Sequence, residues 1–294
     1  MSTPAQSNAP PAVIVISSHV ARGSVGNRAA VFALESLGFP VWAVPTVILP
    51  WHPGHGPATR IVPPTGDFRA LMRDLAHAPW LGEVGAVLSG YLGEAGQAES
   101  VAELVAAVKA KNPAAIYLCD PVMGDQGGLY VPVATASALR NTLMPIADIA
   151  TPNRYELEWM IGTPLPEMRD LIAAAQDAAP PTTLVTSAPS MMAGGTGNLL
   201  VSPSRAMLAE HRIIQRPPNG LGDLFSAIYL ARVLGGSTEE KSLQSATASV
   251  FEILARTTKR GADELTLETD AESLAHPMAM VQLRHLMPPG KSRA

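Results

Sequence analysis

Short apolar runs alternate with amphipathic stretches along most of this 294-residue chain, and that alternation restricts it to a βαβ protein on a mainly parallel sheet. Parallel strands need crossover connections, usually helices, and these cover both faces of the sheet. Ala12 to Ser17 reads as the first strand. A helix from Asn27 to Leu37 follows, with Val31 and Leu34 on one face and Gly38 as its stop, then a strand from Val41 to Leu49. Phe68, Leu71, Met72 and Leu75 recur at helical spacing between Thr65 and His77, as do Val101, Leu104, Val105 and Val108 after Glu99. Glu83 to Ser89, Ala114 to Cys119, Asp148 to Ala150 and Thr183 to Thr186 read as further central strands. Leu199 to Ile214 reads as a hairpin turning at Pro203 and Ser204. Ser237 with Glu240 reads as a capping box for the helix carrying Leu243, Val250, Phe251 and Leu254. The expected fold class is α/β, a central mainly parallel β-sheet with helices on both faces.

With 47% hydrophobic residues the chain can bury a large core. No internal repeat or composition break divides it, so residues 12–287 are expected to form one domain. Residues 1–11, polar and rich in Pro and Ala, are expected to be a disordered lead-in, and 288–294 a loose tail. The N-terminus lacks the basic and apolar segments of a secretory signal. No apolar run reaches the roughly 20 residues that span a bilayer, and a net charge of -4 offers no footprint for nucleic acid or an anionic membrane. The single cysteine, Cys119, excludes an internal disulfide and fits a reducing cytoplasm. Its place in an apolar run marks it as a buried structural thiol.

Polar clusters fall at the strand ends, where open α/β sheets bind their ligands. The first is Ser18-His19-Val20 with Gly23, Gly26 and Asn27, read as a loop between strand and helix. In Asp120-Pro121-Val122-Met123-Gly124-Asp125 two carboxylates follow a strand, and hard cations such as Mg²⁺ bind to carboxylates together with substrate phosphates. Thr151-Pro152-Asn153-Arg154-Tyr155-Glu156 starts a helix with an amide and a carboxylate on its first turn, a pair that is also a capping box. Thr186-Ser187 closes an apolar strand with two hydroxyls. Gly220-Leu221-Gly222-Asp223 runs into the apolar helix Leu224-Phe225-Ser226-Ala227-Ile228-Tyr229-Leu230. Glycines let the backbone approach a ligand closely, and a helix N-terminus attracts a phosphoryl group, which brings Asp223 near whatever attacks the phosphorus. Read alone, Asp223 is an N-cap. The chain carries no P-loop and no complete dinucleotide fingerprint. His52 and His55 lack the cysteines or acidic cluster of a zinc site.

Taken in order, Ser18-His19-Val20-x-x-Gly23-x-x-Gly26-Asn27, Ser89-Gly90-Tyr91, Asp120-Pro121-Val122-Met123-Gly124, Thr151-Pro152-Asn153-x-x-Glu156 and Gly220-Leu221-Gly222-Asp223 resemble the pyridoxal kinase family of the ribokinase-like superfamily. The resemblance runs from the first strand to the C-terminal helix. It implies a ribokinase-like fold and transfer of the γ-phosphoryl group of ATP to the 5'-hydroxyl of pyridoxal, pyridoxine or pyridoxamine. By the same match Asp223 is the general base, and the N–H groups of Gly220, Leu221 and Gly222 form the anion hole. Asp120, Thr151, Asn153 and Glu156 belong to the Mg-ATP region, with Asp120 and Glu156 as the metal candidates. Thr186 and Ser187 contact the nucleotide, and Ser18, Val47, His52 and Tyr91 line the vitamer pocket. Asp125 and Tyr130 are weaker candidates. A monovalent cation and a homodimer are also implied.

One segment departs from the family. Where many members carry a hydroxyl after the His of Val-Gln-Phe-Ser-Asn-His-Thr, this chain reads Val47-Ile48-Leu49-Pro50-Trp51-His52-Pro53, and Pro53 offers no donor. Two other readings use the same residues. One is a kinase for another small alcohol such as hydroxymethylpyrimidine, and the other a non-catalytic vitamer-binding protein.

Overall fold

A computed structural model describes residues 9–286. Residues 1–8 of the expected lead-in and the whole expected tail, 288–294, lie outside the described residues. The elements follow in order as β1 (Ala12–Val20), α1 (Asn27–Ser36), β2 (Val41–Leu49), α2 (Thr65–Ala76), β3 (Val84–Ser89), α3 (Gln97–Lys111) and β4 (Ile116–Cys119). A two-residue hairpin, β5 (Gly124–Asp125) with β6 (Gly128–Leu129), precedes α4 (Val133–Ala138), β7 (Ile149–Ala150), α5 (Arg154–Ile161) and α6 (Met168–Asp177). The chain then forms β8 (Thr182–Pro189), β9 (Gly195–Ser202), β10 (Arg205–Arg212), α7 (Leu221–Leu234), α8 (Glu239–Arg260), α9 (Glu272–Ala275) and β11 (Gln282–Leu286).

Nine strands form one mixed sheet in the order β11-β10-β9-β8-β7-β4-β3-β1-β2. From β2 to β8 all pairings are parallel, and β9, β10 and β11 are added antiparallel. Alternation along β1 divides its side chains between two cores. Val13 and Val15 pack with α1, α7 and α8, while Ile14 and Ile16 pack with α2 and α3. The α7 helix is buried without a break from Leu224 to Ala231, as its uniformly apolar sequence requires of a central helix. The chain leaves β1 toward β2 on one side and returns to β3 on the other. That reversal opens a crevice above the carboxyl ends of β1 and β3.

Several boundaries differ from the sequence expectation. The first strand continues to Val20 because His19 and Val20 pair with Ile48 and Leu49 beyond a bulge, so Ser18-His19-Val20 is strand and not loop. The fourth cluster lies inside β8, with Ser187 at a bulge in the left-handed region (φ 54). The α3 helix begins at Gln97, ahead of Glu99, because the Gln97 amide joins Gly93 N–H to the Thr46 carbonyl. Thr238, not Ser237, caps α8: its side chain accepts from Lys241 N–H, while Ser237 N–H is held by the Arg232 carbonyl at the end of α7. Leu71 faces solvent, 45% exposed, so the apolar stripe of α2 narrows to Phe68, Met72 and the partly buried Leu75. The edge strand β11, missed in the sequence, is tied to β10 by Arg284 and the buried Glu210 carboxylate. Cys119 is buried, and burial pushes its thiol up to about 12.

Candidate active site

Gly220 caps α7 in the left-handed region (φ 94), and a Cβ there would lie 2.1 Å from the Ser24 carbonyl oxygen. Only glycine fits both constraints. The next N–H groups, on Leu221 and Gly222, belong to the first helical turn and have no intrahelical carbonyl partner, which leaves them as anion donors at the start of α7. Asp223 is the third residue of the helix and makes no side-chain cap, which corrects its reading as an N-cap. Its Oδ2 instead accepts the Gly26 N–H at 2.9 Å. Gly26 (φ 55) is fixed from below, since a Cβ there would meet the carbonyl and hydroxyl of buried Ser18 at 2.3 Å. On the other side a Cβ at Gly90 would stand 3.8 Å from Asp223 Oδ1 and 2.6 Å from Ser17 Oγ. Glycines on three segments therefore admit one carboxylate to the mouth of the crevice.

Two further carboxylates lie behind it. Asp120 Oδ2 accepts Ser226 Oγ at 3.2 Å, and Ser226 also hydrogen-bonds the Thr151 hydroxyl at 2.8 Å. Glu156 accepts Met123 N–H at 2.9 Å and Gly124 N–H at 3.4 Å on Oε1, and Asn153 N–H at 2.8 Å on Oε2. The Asn153 side chain accepts Glu156 N–H at 2.9 Å and donates to the Gly124 carbonyl at 2.8 Å. The capping box is real, and it also ties β5 to the start of α5. Burial and the nearby Asp223 carboxylate push Asp120 up to about 8, against the opposing Ser226 and Thr151 hydrogen bonds. Burial and Asp120 raise Glu156 as well. Burial brings Asp223 up to about 6, moderated by the Gly26 N–H. The charges acting on Asp120 and Glu156 are other carboxylates, and no side-chain cation offsets them. A site so charged is suited to a divalent cation. Among the described residues no cluster of three or more metal-ligating side chains occurs, so such a cation would share its shell with phosphate oxygens.

A cleft of about 590 Å³ adjoins this cluster, lined by Asp125, Asn153, Arg154, Tyr155, Glu158 and Ser187. Thr186 N–H reaches the Pro152 carbonyl at 2.9 Å, which joins β8 to the Asn153 segment. Tyr130 is half-exposed, and its hydroxyl is raised by burial and by Glu156, Asp120, Asp223 and Asp125. A larger groove, about 700 Å³ between α8 and residues 277–282, shares no residue with the site.

Val47 packs with Val20, Val25, Leu49, Val62 and Tyr91 in a small apolar cluster above the ends of β1 and β2. Tyr91 N–H is held by Ser17 Oγ at 3.2 Å, and its hydroxyl lies 3.4 Å from Arg60 Nη2. His52 caps the turn Pro53–His55, accepting Gly54 N–H on Nδ1 at 3.0 Å, and Pro53 opens that turn where its missing N–H is not needed. The sequence reading missed Ser17, Ser226 and Arg60. Ser226 carries no signal at all within an apolar helix, whereas Ser17 directly precedes the first motif.

The family model described as phosphomethylpyrimidine kinase matches residues 81–268. The pyridoxal kinase PdxY of Rubrobacter xylanophilus is 37% identical over 281 residues, 93% of this chain and 97% of that protein. That of Corynebacterium diphtheriae is 33% identical over 280 residues, 93% of this chain and 99% of that protein. The structure of pyridoxal kinase from Leishmania donovani in complex with ADP and pyridoxamine superposes with a TM-score of 0.88 at 26% identity, covering 94% of this chain and 100% of that one. Fold and relatives define an ATP-dependent small-molecule kinase of ribokinase-like architecture. The chain belongs to the pyridoxal kinase family.

Proposed function

We propose that this chain transfers the γ-phosphoryl group of ATP to the 5'-hydroxyl of pyridoxal, and of pyridoxine and pyridoxamine, in vitamin B6 salvage. The observation that carries the reading is the Asp223 carboxylate, held by Gly26 N–H at the foot of the unpaired N–H groups of α7. Asp223 takes the proton of the 5'-hydroxyl as its oxygen bonds to the γ-phosphorus, and the bond to the bridging oxygen breaks to release ADP. The N–H groups of Leu221 and Gly222, at a helix start opened by Gly220, receive the charge spread over the transferring group. Val47 and Tyr91 form the apolar wall against which the aromatic acceptor lies.

Asp120 and Glu156 would hold Mg²⁺ together with the nucleotide phosphates, and the cation would neutralise charge on the β- and γ-phosphoryl oxygens. Thr151 supports Asp120 through Ser226, and Asn153 supports Glu156. The cleft beside Ser187 and Thr186 takes the rest of the nucleotide. A homodimer, a cytoplasmic location and an activating monovalent cation complete the reading by family resemblance. No helix among the described residues is long and apolar enough to cross a membrane.

A substrate panel tests the proposal. With Mg-ATP, kcat/KM should be highest for one of the three vitamers and at least about tenfold lower for hydroxymethylpyrimidine, the margin of one lost buried contact of about 1.4 kcal/mol. Preference for hydroxymethylpyrimidine would select the other kinase reading, and absence of any phosphoryl transfer would select a binding protein.

A further inference from the structure

The turn Pro53–His55 buries none of its residues, so burial alone does not hold it in place. Its internal hydrogen bonds are local: Gly54 N–H to His52 Nδ1, His55 N–H to the His52 carbonyl and Gly56 N–H to the Pro53 carbonyl. Yet the tip lies close to the catalytic segment, since a Cβ on Gly54 would come 3.1 Å from Asn219 Nδ2, next to Gly220. What reaches the tip from afar is Glu264. Its Oε1 lies 2.7 Å from His55 Nε2, across 209 residues, and its side chain is only 12% exposed.

The other carboxylate oxygen of Glu264 accepts Ser24 N–H at 3.4 Å, and the Ser24 hydroxyl donates to the Leu265 carbonyl at 3.0 Å. A Cβ on Gly23 would lie 2.5 Å from Glu264 Oε1, so the loop admits the carboxylate only because that residue has no side chain. Arg22 binds both oxygens of Asp263 at 2.8 Å and lies 3.7 Å from Glu264, which anchors the acidic segment to the same loop. Ser24 is in turn the residue whose carbonyl abuts Gly220, and two residues on Gly26 holds Asp223. Glu264, with Asp263 Oδ2 at 4.0 Å from the other ring nitrogen of His55, thus ties the turn to the loop that orients the base.

We propose that Glu264 and His55 form a latch that holds the Pro53–His55 turn over the acceptor pocket, making both positioning residues for the bound acceptor. The proposal rests on the reading that the acceptor lies against Val47 and Tyr91. An open turn leaves one wall of that pocket to be ordered on binding, which weakens the acceptor. The nucleotide cleft near Ser187 involves neither residue.

The test compares His55→Phe, Glu264→Gln and the double variant with the wild-type full chain. Each single variant should raise KM for pyridoxal about 2- to 13-fold, the range for the net contribution of one hydrogen bond, with KM for ATP and kcat within about twofold. The double variant should be no worse than the worse single one, because the two share one interaction. His55→Gln, whose amide can still donate to Glu264, should recover most of the loss. Additive effects, or equal rises in both KM values with a fallen Tm, would overturn the latch. Hydrogen exchange of residues 52–56 in the ligand-free chain reads the latch without any substrate. It should speed up in His55→Phe, and unchanged exchange would overturn the latch even if pyridoxal proved not to be the acceptor. Faster exchange in a chain that leaves pyridoxal unphosphorylated would instead retain the latch and reject the acceptor assignment.

Discussion

Gly26 N–H and Asp223 Oδ2 meet at 2.9 Å although 197 residues separate them. This bond joins the loop after β1 to the first turn of α7, the two sides of the crevice at the strand-order reversal. It also sets the chemistry of the carboxylate. Burial raises Asp223 to about 6, and the Gly26 N–H opposes that shift. A base with that value is ionised at pH 7 and still able to hold a proton.

The first expectation is therefore an acid limb in the pH profile. Asp223 must be ionised to accept the hydroxyl proton, so kcat/KM for pyridoxal at saturating Mg-ATP should fall about tenfold per pH unit below a midpoint no higher than about 6. A bound cation favours the ionised carboxylates and moves the midpoint down, never up. Initial rates from pH 5 to 8 check this, and a midpoint near 8 would transfer the limiting proton to Asp120.

Asp120→Asn should stabilise the ligand-free chain while lowering its activity. Asp120 is raised from 3.8 to about 8, so the folded chain binds a proton more tightly than the unfolded one and loses stability as pH rises through that interval. Removing the charge removes the loss. The Tm of the variant should exceed the wild type by about 2–5 °C at pH 8 and converge with it at pH 4. Magnesium with ADP should raise the Tm of the wild type more than that of the variant. A variant less stable than the wild type at pH 8 would mean that Asp120 is needed to hold Ser226 and Thr151.

Glu156→Gln should chiefly raise the magnesium requirement. The amide keeps one oxygen, which can accept from Met123 N–H or from Asn153 N–H but not both, and loses the charge. Half-saturating magnesium should rise about 10-fold or more, with KM for pyridoxal moved less than about twofold, since one hydrogen-bonded charge is worth about 1.5–3 kcal/mol. An unchanged magnesium titration would leave Glu156 only its structural part in the capping box.

Pro53→Thr tests the departure from the family at the pocket lip. A restored hydroxyl contact to the ring should lower KM for pyridoxal about 2- to 13-fold, the equivalent of 0.5–1.5 kcal/mol, with kcat changed less. Pro53 also stiffens the turn that it opens, so its loss offsets part of the gain. Unmoved KM values for all three vitamers would show that residue 53 does not touch the ring.

The sequence made the strands and cover helices legible because their apolar periodicities are strong, as in β2, which runs from Val41 to Leu49 as expected. It was less informative where tertiary bonds decide. Ser237, with Glu240 three residues on, is the better cap on paper, but its N–H is held by the Arg232 carbonyl at the end of α7 and Thr238 caps instead. The edge strand β11 has one pairing side and a weak alternation, so an ion pair to Glu210 marks it better than its own pattern. In the site, residues that sit in motifs, Asp120, Glu156, Gly220 and Asp223, could be picked out by their neighbours. Ser226 and Glu264 could not, because the partners of Ser226 lie 75 and 106 residues away and those of Glu264 lie 209 or more.

The most direct test is turnover of pyridoxal with Mg-ATP by the wild type and by Asp223→Asn, read as pyridoxal 5'-phosphate formed. The wild type should form product, and the variant should have a kcat lower by about 10²- to 10⁴-fold with ATP affinity and Tm close to the wild type. An Asn variant with near wild-type kcat would contradict the assignment of Asp223 as the base, and a wild type that forms no pyridoxal 5'-phosphate would contradict the proposed reaction.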